Sequence, residues 1–585
     1  MSTHRRITVT VTITAIIAAV VIMGPLLGSG YFLWGDAVST PRSFVTDTAL
    51  GIGDLPPRAV PQDWFVALAS HVIDGGVVVR LLLLAALVLL GVGCGRLAAI
   101  VLPVGGAAGA AVATIVAMWN PYVAERLLQG HWSLLLGVAA LPWIATAIIG
   151  VSRTPTHLST SWPALAAWLC VAGLTPTGSV MALIMALVVA GALIANTRTL
   201  SSSAHWRRVG GILVLWVLSA APWLISGVVG NAPVTSDPAG VAVFSARAER
   251  LLGTVGSVFG LGGIWNADAV PASRQIGWAL VATCCLLAVV IAGVPAVWRR
   301  RHTSFAIVAV GLAVIVAAVV VIAATTPGQA ALRVVVTEVP GAGLLRDAQK
   351  WLGLALPGYA ICGSGAVVWL GRVVPTSFAA AVAAILVIAP LPDLAWGVGG
   401  TLRPVHYPPD FAAVASVIPA GQGDVALRPP GTNRSYPFAH DRVSLDPLPR
   451  MLRAVVLESG ELQIGDTTVD SSDSRATYVA LKIKRGTTSA ELARLGVGWV
   501  VTEDGRPSGV RGAQRVYSGE GLSVYRIPDP QIVSASTSAR ILAWCAHILW
   551  LLVFLAGVIG AATGAVSRSL ARSRGGRDDQ DASGA

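Results

Sequence analysis

Charge is scarce in this sequence. Only 12% of its 585 residues are Asp, Glu, Lys or Arg, about half the share found in soluble domains. With 55% hydrophobic residues and a mean hydropathy of +0.72, that deficit excludes an ordinary soluble protein and leaves an integral membrane protein. Cysteine is equally sparse. The six cysteines, Cys94, Cys170, Cys284, Cys285, Cys362 and Cys545, lie in or beside apolar runs and none has metal-ligand spacing, so neither a zinc site nor a disulfide framework is expected. Acidic residues number 29 against 41 Lys and Arg, a net charge of +12. No basic stripe interleaved with aromatics accompanies that excess, which excludes a nucleic-acid partner. Residues about 400–535 also lack a nucleotide loop, a Gly-x-Ser-x-Gly turn and zinc-ligand spacing, and so lack the signatures of soluble nucleotide enzymes, serine hydrolases and zinc sites.

What is present is a series of apolar runs long enough to cross a bilayer of about 30 Å. The first, near 7–28, follows Arg5 and Arg6 and is too long for a signal peptide, so it reads as a retained helix with its N-terminus in the cytoplasm. Further helices are expected near 77–96, 100–119, 133–150, 162–175, 178–195, 209–229, 276–297, 304–324, 351–371, 376–397 and 538–565. The pair around Thr175-Pro176-Thr177-Gly178 is the least regular, with a short first half. Arg96, Arg153, Arg198, Arg207, Arg208, Arg299, Arg300, Arg301 and Arg372 all fall in connections on one side. By the positive-inside rule that side is cytoplasmic, and about twelve crossings leave both termini there. The expected organisation is a transmembrane module over 1–397, an extracytoplasmic α/β domain over 398–537, a last helix over 538–567 and a disordered cytoplasmic tail over 568–585. Within the domain, strands are expected at 424–428, 497–502 and 522–527, and helices at 448–457 and 489–495.

Five polar stretches fall on the outer side: 29–76, 120–132, 230–275, 325–350 and 398–537. Long irregular connections gathered on one side mark the working face. The second of them, Asn120-Pro121-Tyr122-Val123-Ala124-Glu125-Arg126-Leu127-Leu128-Gln129-Gly130-His131-Trp132, packs ionisable and amide side chains between two apolar runs. Such groups are costly at the edge of hydrocarbon unless they line a site or reach water. Asn-Pro there favours the end of one helix and the start of a new turn, and Trp119 and Trp132 suit a short helix lying at the interface. In the first outer stretch, Asp36 follows directly on the first helix in Trp34-Gly35-Asp36, where a carboxylate partly out of water suits a general base. Asp47, Asp54 and Asp63 also lie there, with Arg42 and Arg58, and Asp47 is the next candidate base.

A Gly-Asp just past the first membrane helix resembles the GT-C superfamily of polyprenyl-phosphate-sugar-dependent glycosyltransferases. The 120–132 stretch looks like the second outer loop of its bacterial members, among them the arabinofuranosyl- and mannosyltransferases of mycobacterial-type envelopes. Leu345-Arg346-Asp347-Ala348-Gln349-Lys350-Trp351 resembles their Arg-(Asp/Asn)-x-x-Lys segment. The resemblance covers roughly residues 7–397 in topology, and its motifs are short. It implies a polytopic α-helical GT-C fold in the plasma membrane. It also implies transfer of arabinofuranose or mannose from a polyprenyl-phosphate donor to an envelope glycan or glycolipid, with membrane lipids around the site. Asp36 would be the base, Arg126, Arg346 and Lys350 would hold the donor phosphate, and Asn120, Glu125, Gln129, His131 and Trp265 would read sugar or acceptor. Some members use a divalent cation; the outer stretches here show no clear Asp-x-Asp, and no metal ligand or cofactor is assigned.

A reading from another class is a non-catalytic membrane protein on a degenerate form of this fold, scaffolding or translocating envelope lipids. A transporter would carry ionisable groups near the bilayer midplane and repeated halves, and neither is evident. His547, inside the last run, reads as a packing residue, and Arg80 as a cation that snorkels to the interface.

Overall fold

The computed structural model describes residues 3–153, 161–196, 203–230, 236–301, 305–464, 467–469, 474–503 and 505–582. Arg198, expected in a basic connection, lies outside them, as do the last three residues of the expected tail; before these the backbone of the final helix, Thr537–Ala582, is continuous. Among the described residues ten helices are long and apolar enough to cross a membrane, from Thr3–Leu27 to Thr537–Gly564. Two of the twelve expected crossings differ. Ser161–Ala172 is a helix of only 12 residues, because Pro176 starts a new helix after a turn in which Thr175 Oγ1 accepts from the Gly178 amide. The 376–397 run breaks at Pro390 and Pro392 into two helices bent by 76°.

Small residues set the closest helix crossings. Trp278–Trp298 packs against Leu356–Leu370 through Gly293 and Gly365, and a Cβ on Gly293 would come within 1.8 Å of the Cys362 carbonyl oxygen. Without a hydrophobic drive between helices inside lipid, such backbone approach is what dispersion and weak polar contacts require. Arg80 donates to the Leu26 and Gly30 carbonyls at 2.9 and 2.8 Å and so satisfies the chain where it leaves the first helix.

Between the bent pair Thr376–Ile388 and Pro392–Gly399 and the last helix lies a sheet domain. Its strands β1 (Asp424–Arg428), β2 (Val456–Leu457), β3 (Val497–Glu503), β4 (Gln514–Ser518) and β5 (Leu522–Arg526) run in the order β4-β5-β3-β1-β2. The β1 strand is parallel to both β2 and β3, whereas β3-β5 and β4-β5 are antiparallel. The helix before β3 begins at a capping box in which Thr488 and Glu491 satisfy each other's backbone amides. The helix expected over 448–457 stops at Met451, and its last two residues are β2.

The domain is joined to the first membrane helix by more than the chain. Leu33 and Val38, on the short hairpin that follows that helix, are buried in the domain's apolar core beside Val405, Phe411, Trp499 and Val524. Tyr31 exchanges backbone hydrogen bonds with Val405 at 2.8 and 2.9 Å. The tip of this hairpin is Gly35-Asp36.

Candidate functional site

The hairpin tip is clamped from two sides. The Asp36 amide donates to the Gln129 carbonyl at 2.9 Å, and Gly35 exchanges bonds with Val443 and Leu445 of the sheet domain. Gly35 and Gly130 lie back to back at positive φ, and a Cβ on either would come 2.3 Å from the other segment's backbone. Only glycine permits this approach. The indole of Trp34 adds a bond to the Leu127 carbonyl at 2.9 Å.

This clamp aims Asp36 into a cavity of about 1870 Å³ that is walled by the hairpin, the 128–134 segment, the 337–350 segment and the sheet domain. Asp36 Oδ2 lies 3.0 Å from His131 Nε2. His131 Nδ1 lies 3.0 Å from Arg126 Nη1, which also donates to Asp347 Oδ2 at 3.2 Å. A guanidinium cannot accept a hydrogen bond. His131 Nδ1 is therefore the acceptor, and the Nε2 proton points to Asp36. The result is a continuous line, Asp36–His131–Arg126–Asp347, that leaves the cavity wall at His131, passes through the buried Arg126 and returns to the wall at Asp347.

The Asp36 side chain is 49% exposed, on the cavity side. Its depth in the protein raises its carboxyl; the His131 hydrogen bond and the charges of Arg58 and Lys350 outweigh that and hold it below the usual carboxylate range. Asp347 shows the same balance: burial raises it, and Arg126 and Lys350 bring it below its ordinary value.

The expected site residues divide into two groups. Asp36, Gln129, His131, Trp265, Arg346 and Lys350 line the cavity. Gln129 accepts from Asn266 at 2.8 Å, and the Phe244 ring carries Trp265 edge-on at 4.8 Å and the Arg346 guanidinium at 5.1 Å. Asn120, Glu125 and Arg126 stand behind the wall. The stretch 121–128 is a short helix with every residue buried, not one lying at an interface. Asn120 is its N-cap: Oδ1 accepts from the Val123 amide, and Nδ2 donates to Val116 and Ala117. Glu125 is fully buried and accepts from the Gly263 amide at 3.0 Å and from Gln349 at 2.7 Å. The Arg126 side chain is 0% exposed, so its place is to orient His131, where a direct phosphate contact was expected.

Asp347 and Arg58, which carry no expected role from the sequence, also line the cavity. Asp347 stands between two chosen cations, Arg346 and Lys350, and that position was the signal in the sequence; Arg58 lies in a loop without regular pattern. The other first-loop aspartates considered are ion-paired: Asp47 with Arg540 at 2.8 Å, off the cavity wall, and Asp54 with Arg475 at 3.6 Å and Asp63 with Arg450 at 3.1 Å on it. Among the described residues no three His, Cys, Asp or Glu side chains converge as a metal ion would require.

No family model and no curated protein matches the chain. Among solved structures it is similar to the single-particle cryo-EM structure of the arabinofuranosyltransferase AftD from Mycobacteria, with a TM-score of 0.52 and 13% identity. The match covers 88% of this chain and 41% of that one, so the chain spans about two-fifths of that protein's length. At that identity the likeness is one of architecture: the chain has a GT-C-like fold, a polytopic helical membrane protein with a small sheet domain near its C-terminus.

Proposed function

We propose that this protein is a membrane glycosyltransferase that moves a sugar, arabinofuranose or mannose, from a polyprenyl-phosphate donor to an envelope glycan or glycolipid. Its working face is the outer side of the plasma membrane, with both termini cytoplasmic. The observation that carries the reading is the Asp36–His131–Arg126–Asp347 line ending in a large cavity whose wall also holds Arg58, Arg346 and Lys350. The fold likeness to an arabinofuranosyltransferase supports it.

The acceptor hydroxyl oxygen forms a bond to the anomeric carbon while that carbon's bond to the phosphate oxygen breaks. The proton passes to Asp36 through Oδ1, since Oδ2 already accepts from His131. A carboxylate of low basicity suffices when the attacked centre is oxocarbenium-like, because the hydroxyl becomes acidic only as its new bond forms. The donor is a phosphodiester and leaves as a phosphate monoester with one more negative charge. Arg58, Arg346 and Lys350 face that charge, and preorganised cations of this kind stabilise it best where water is excluded.

The test supplies radiolabelled polyprenyl-phospho-arabinose and polyprenyl-phospho-mannose in turn to membranes carrying the protein. Transfer from one donor is expected, falling about 10²–10⁴-fold in Asp36→Asn at equal protein level. Transfer that survives the substitution removes Asp36 as the base, and transfer from neither donor removes the proposed donors.

A further inference from the structure

Three side chains of the buried helix Pro121–Leu128 reach one segment of the fourth outer stretch. The Tyr122 hydroxyl donates to the Lys350 carbonyl at 2.7 Å, Glu125 Oε2 accepts from Gln349 Nε2 at 2.7 Å, and Arg126 Nη1 donates to Asp347 Oδ2 at 3.2 Å. Residues 122, 125 and 126 are spaced i, i+3 and i+4, which puts them on one side of a helix. Their partners follow in the opposite order, 350, 349 and 347. All three helix residues are fully buried, so this face is spent on the segment and not on the cavity.

The segment needs such a hold. Ala348–Ala355 is a 3-10 helix of eight residues at the start of the crossing Ala348–Leu370, and helices of that kind are poorly bonded and seldom run beyond about three or four residues. Asp347 stands at its N-cap without a side-chain cap bond; its carboxylate goes to Arg126 instead. Lys350 then projects into the large cavity. A lysine stem is flexible, so where its charge stands depends on where its backbone is fixed, and the Tyr122 hydroxyl bonds that backbone directly.

We propose that Tyr122 is a positioning residue for the leaving phosphate. It acts through Lys350, while Glu125 and Arg126 hold the two residues before it in place by the same helix face. The inference rests on the proposed glycosyl transfer, in which Lys350 faces the donor phosphate. Tyr122→Phe isolates it, because the ring stays beneath the Arg126 guanidinium, 5.4 Å away, and the Arg126–His131–Asp36 contacts are untouched.

The test uses the full-length protein purified in mild detergent and measures binding of undecaprenyl phosphate and of undecaprenol, the same chain without its charge, by native mass spectrometry. The wild type is expected to bind the phosphate about tenfold or more above the alcohol. In Tyr122→Phe that ratio should fall by about threefold to tenfold with undecaprenol binding unchanged, and in Lys350→Gln it should fall at least as far. Loss of affinity for both ligands alike, at a lowered melting midpoint, would show a residue that only supports the fold and overturns the proposal. Should Tyr122→Phe fail to fold, Gly353→Ala puts the same question with Tyr122 in place, since a Cβ there would come 2.9 Å from the Tyr122 hydroxyl and 2.6 Å from Val138 Cγ2, both side-chain ends. A ratio that falls in Lys350→Gln and holds in Tyr122→Phe overturns the positioning role and leaves the phosphate assignment standing. A wild type that does not distinguish the two ligands, or a Lys350→Gln ratio equal to that of the wild type, overturns the phosphate assignment and the positioning role with it.

Discussion

His131 donates its Nε2 proton to Asp36 across 3.0 Å because Arg126 occupies the other ring nitrogen at the same distance. The tautomer is thus set by a residue with no exposed side-chain surface, and His131 enters the site as a fixed donor rather than as a second base. Asp36 stays ionised under this arrangement well into the acid range, since its carboxyl lies below the ordinary value despite its depth in the protein.

The first prediction follows from the direction of that shift. In His131→Ala the hydrogen bond that lowers Asp36 is lost while burial, which raises it, remains. The acid limb of the transfer rate should move to higher pH, and the rate at neutral pH should fall by about tenfold to a hundredfold, less than in Asp36→Asn. Rate profiles between pH 4 and 8 on wild-type and variant membranes measure it. An acid limb that stays in place would show that His131 does not govern the charge of Asp36.

The second prediction separates Asp36 from Asp47, the other first-loop aspartate considered as a base. Asp47 takes both Arg540 nitrogens at 2.8 Å and accepts from the Ala535 amide at 3.4 Å, fastening the start of the last helix. Asp47→Asn should keep transfer within about twofold and lower stability by about 1 kcal/mol or less, as a partly exposed pair implies. Transfer assays and melting curves on the same preparation decide it; loss of transfer with an unchanged melting midpoint would return Asp47 to the site.

How much of this was legible in the sequence differs from residue to residue. The spans were readable because about 20 apolar residues have few other solutions, and the two exceptions come from Pro176 and from Pro390 with Pro392, whose effect depends on how the neighbouring helices accept a break. Asp36 was readable from its place after the first helix. The part played by Asn120, Glu125 and Arg126 was not, because an amide or ionisable side chain between apolar runs looks the same whether it faces a cavity or is spent on a helix cap and a buried network. The union of the hairpin with the sheet domain was also hidden. Leu33 and Val38 meet Val405 and Phe411 only through contacts hundreds of residues apart in sequence, which no local pattern records.

The third prediction concerns Glu458, on the sheet-domain side of the large cavity. Burial pushes its carboxyl up to about 8, Asp446 and Asp63 add to the rise, and Arg450 and Arg434 oppose it. In the unfolded chain a glutamate titrates near about 4.3. Between those two values the folded protein holds a proton that the unfolded chain has released. The stability tied to that proton is therefore fully present below about pH 4.3 and is lost as the pH rises through 8. The melting midpoint in detergent should fall between pH 5 and 9 more steeply in the wild type than in Glu458→Gln, which stays neutral throughout. Parallel curves would show that Glu458 ionises freely in the folded protein.

The last prediction tests whether the clamp on the hairpin tip is what aims Asp36. Gly130 has φ +81°, and a Cβ there would stand 2.3 Å from the Ala37 nitrogen and 2.7 Å from the Asp36 nitrogen. Both contacts are to backbone, so Gly130→Ala cannot be absorbed by a side-chain rotation and must move the Asp36 turn or the 129–131 segment. The strain costs about 1–3 kcal/mol, but the larger effect should be on geometry, since a displacement of about 1 Å at a reacting group costs about a hundredfold in rate. Transfer should therefore fall by about tenfold to a hundredfold while the protein remains folded in the membrane. Gly191→Ala, inside the helix Pro176–Asn196, is the control, because a Cβ at Gly191 meets nothing within 4 Å; it should leave the rate unchanged and the melting midpoint no lower than in the wild type. If Gly130→Ala keeps the wild-type rate with its melting midpoint lowered, the clamp holds the fold together without setting the position of Asp36.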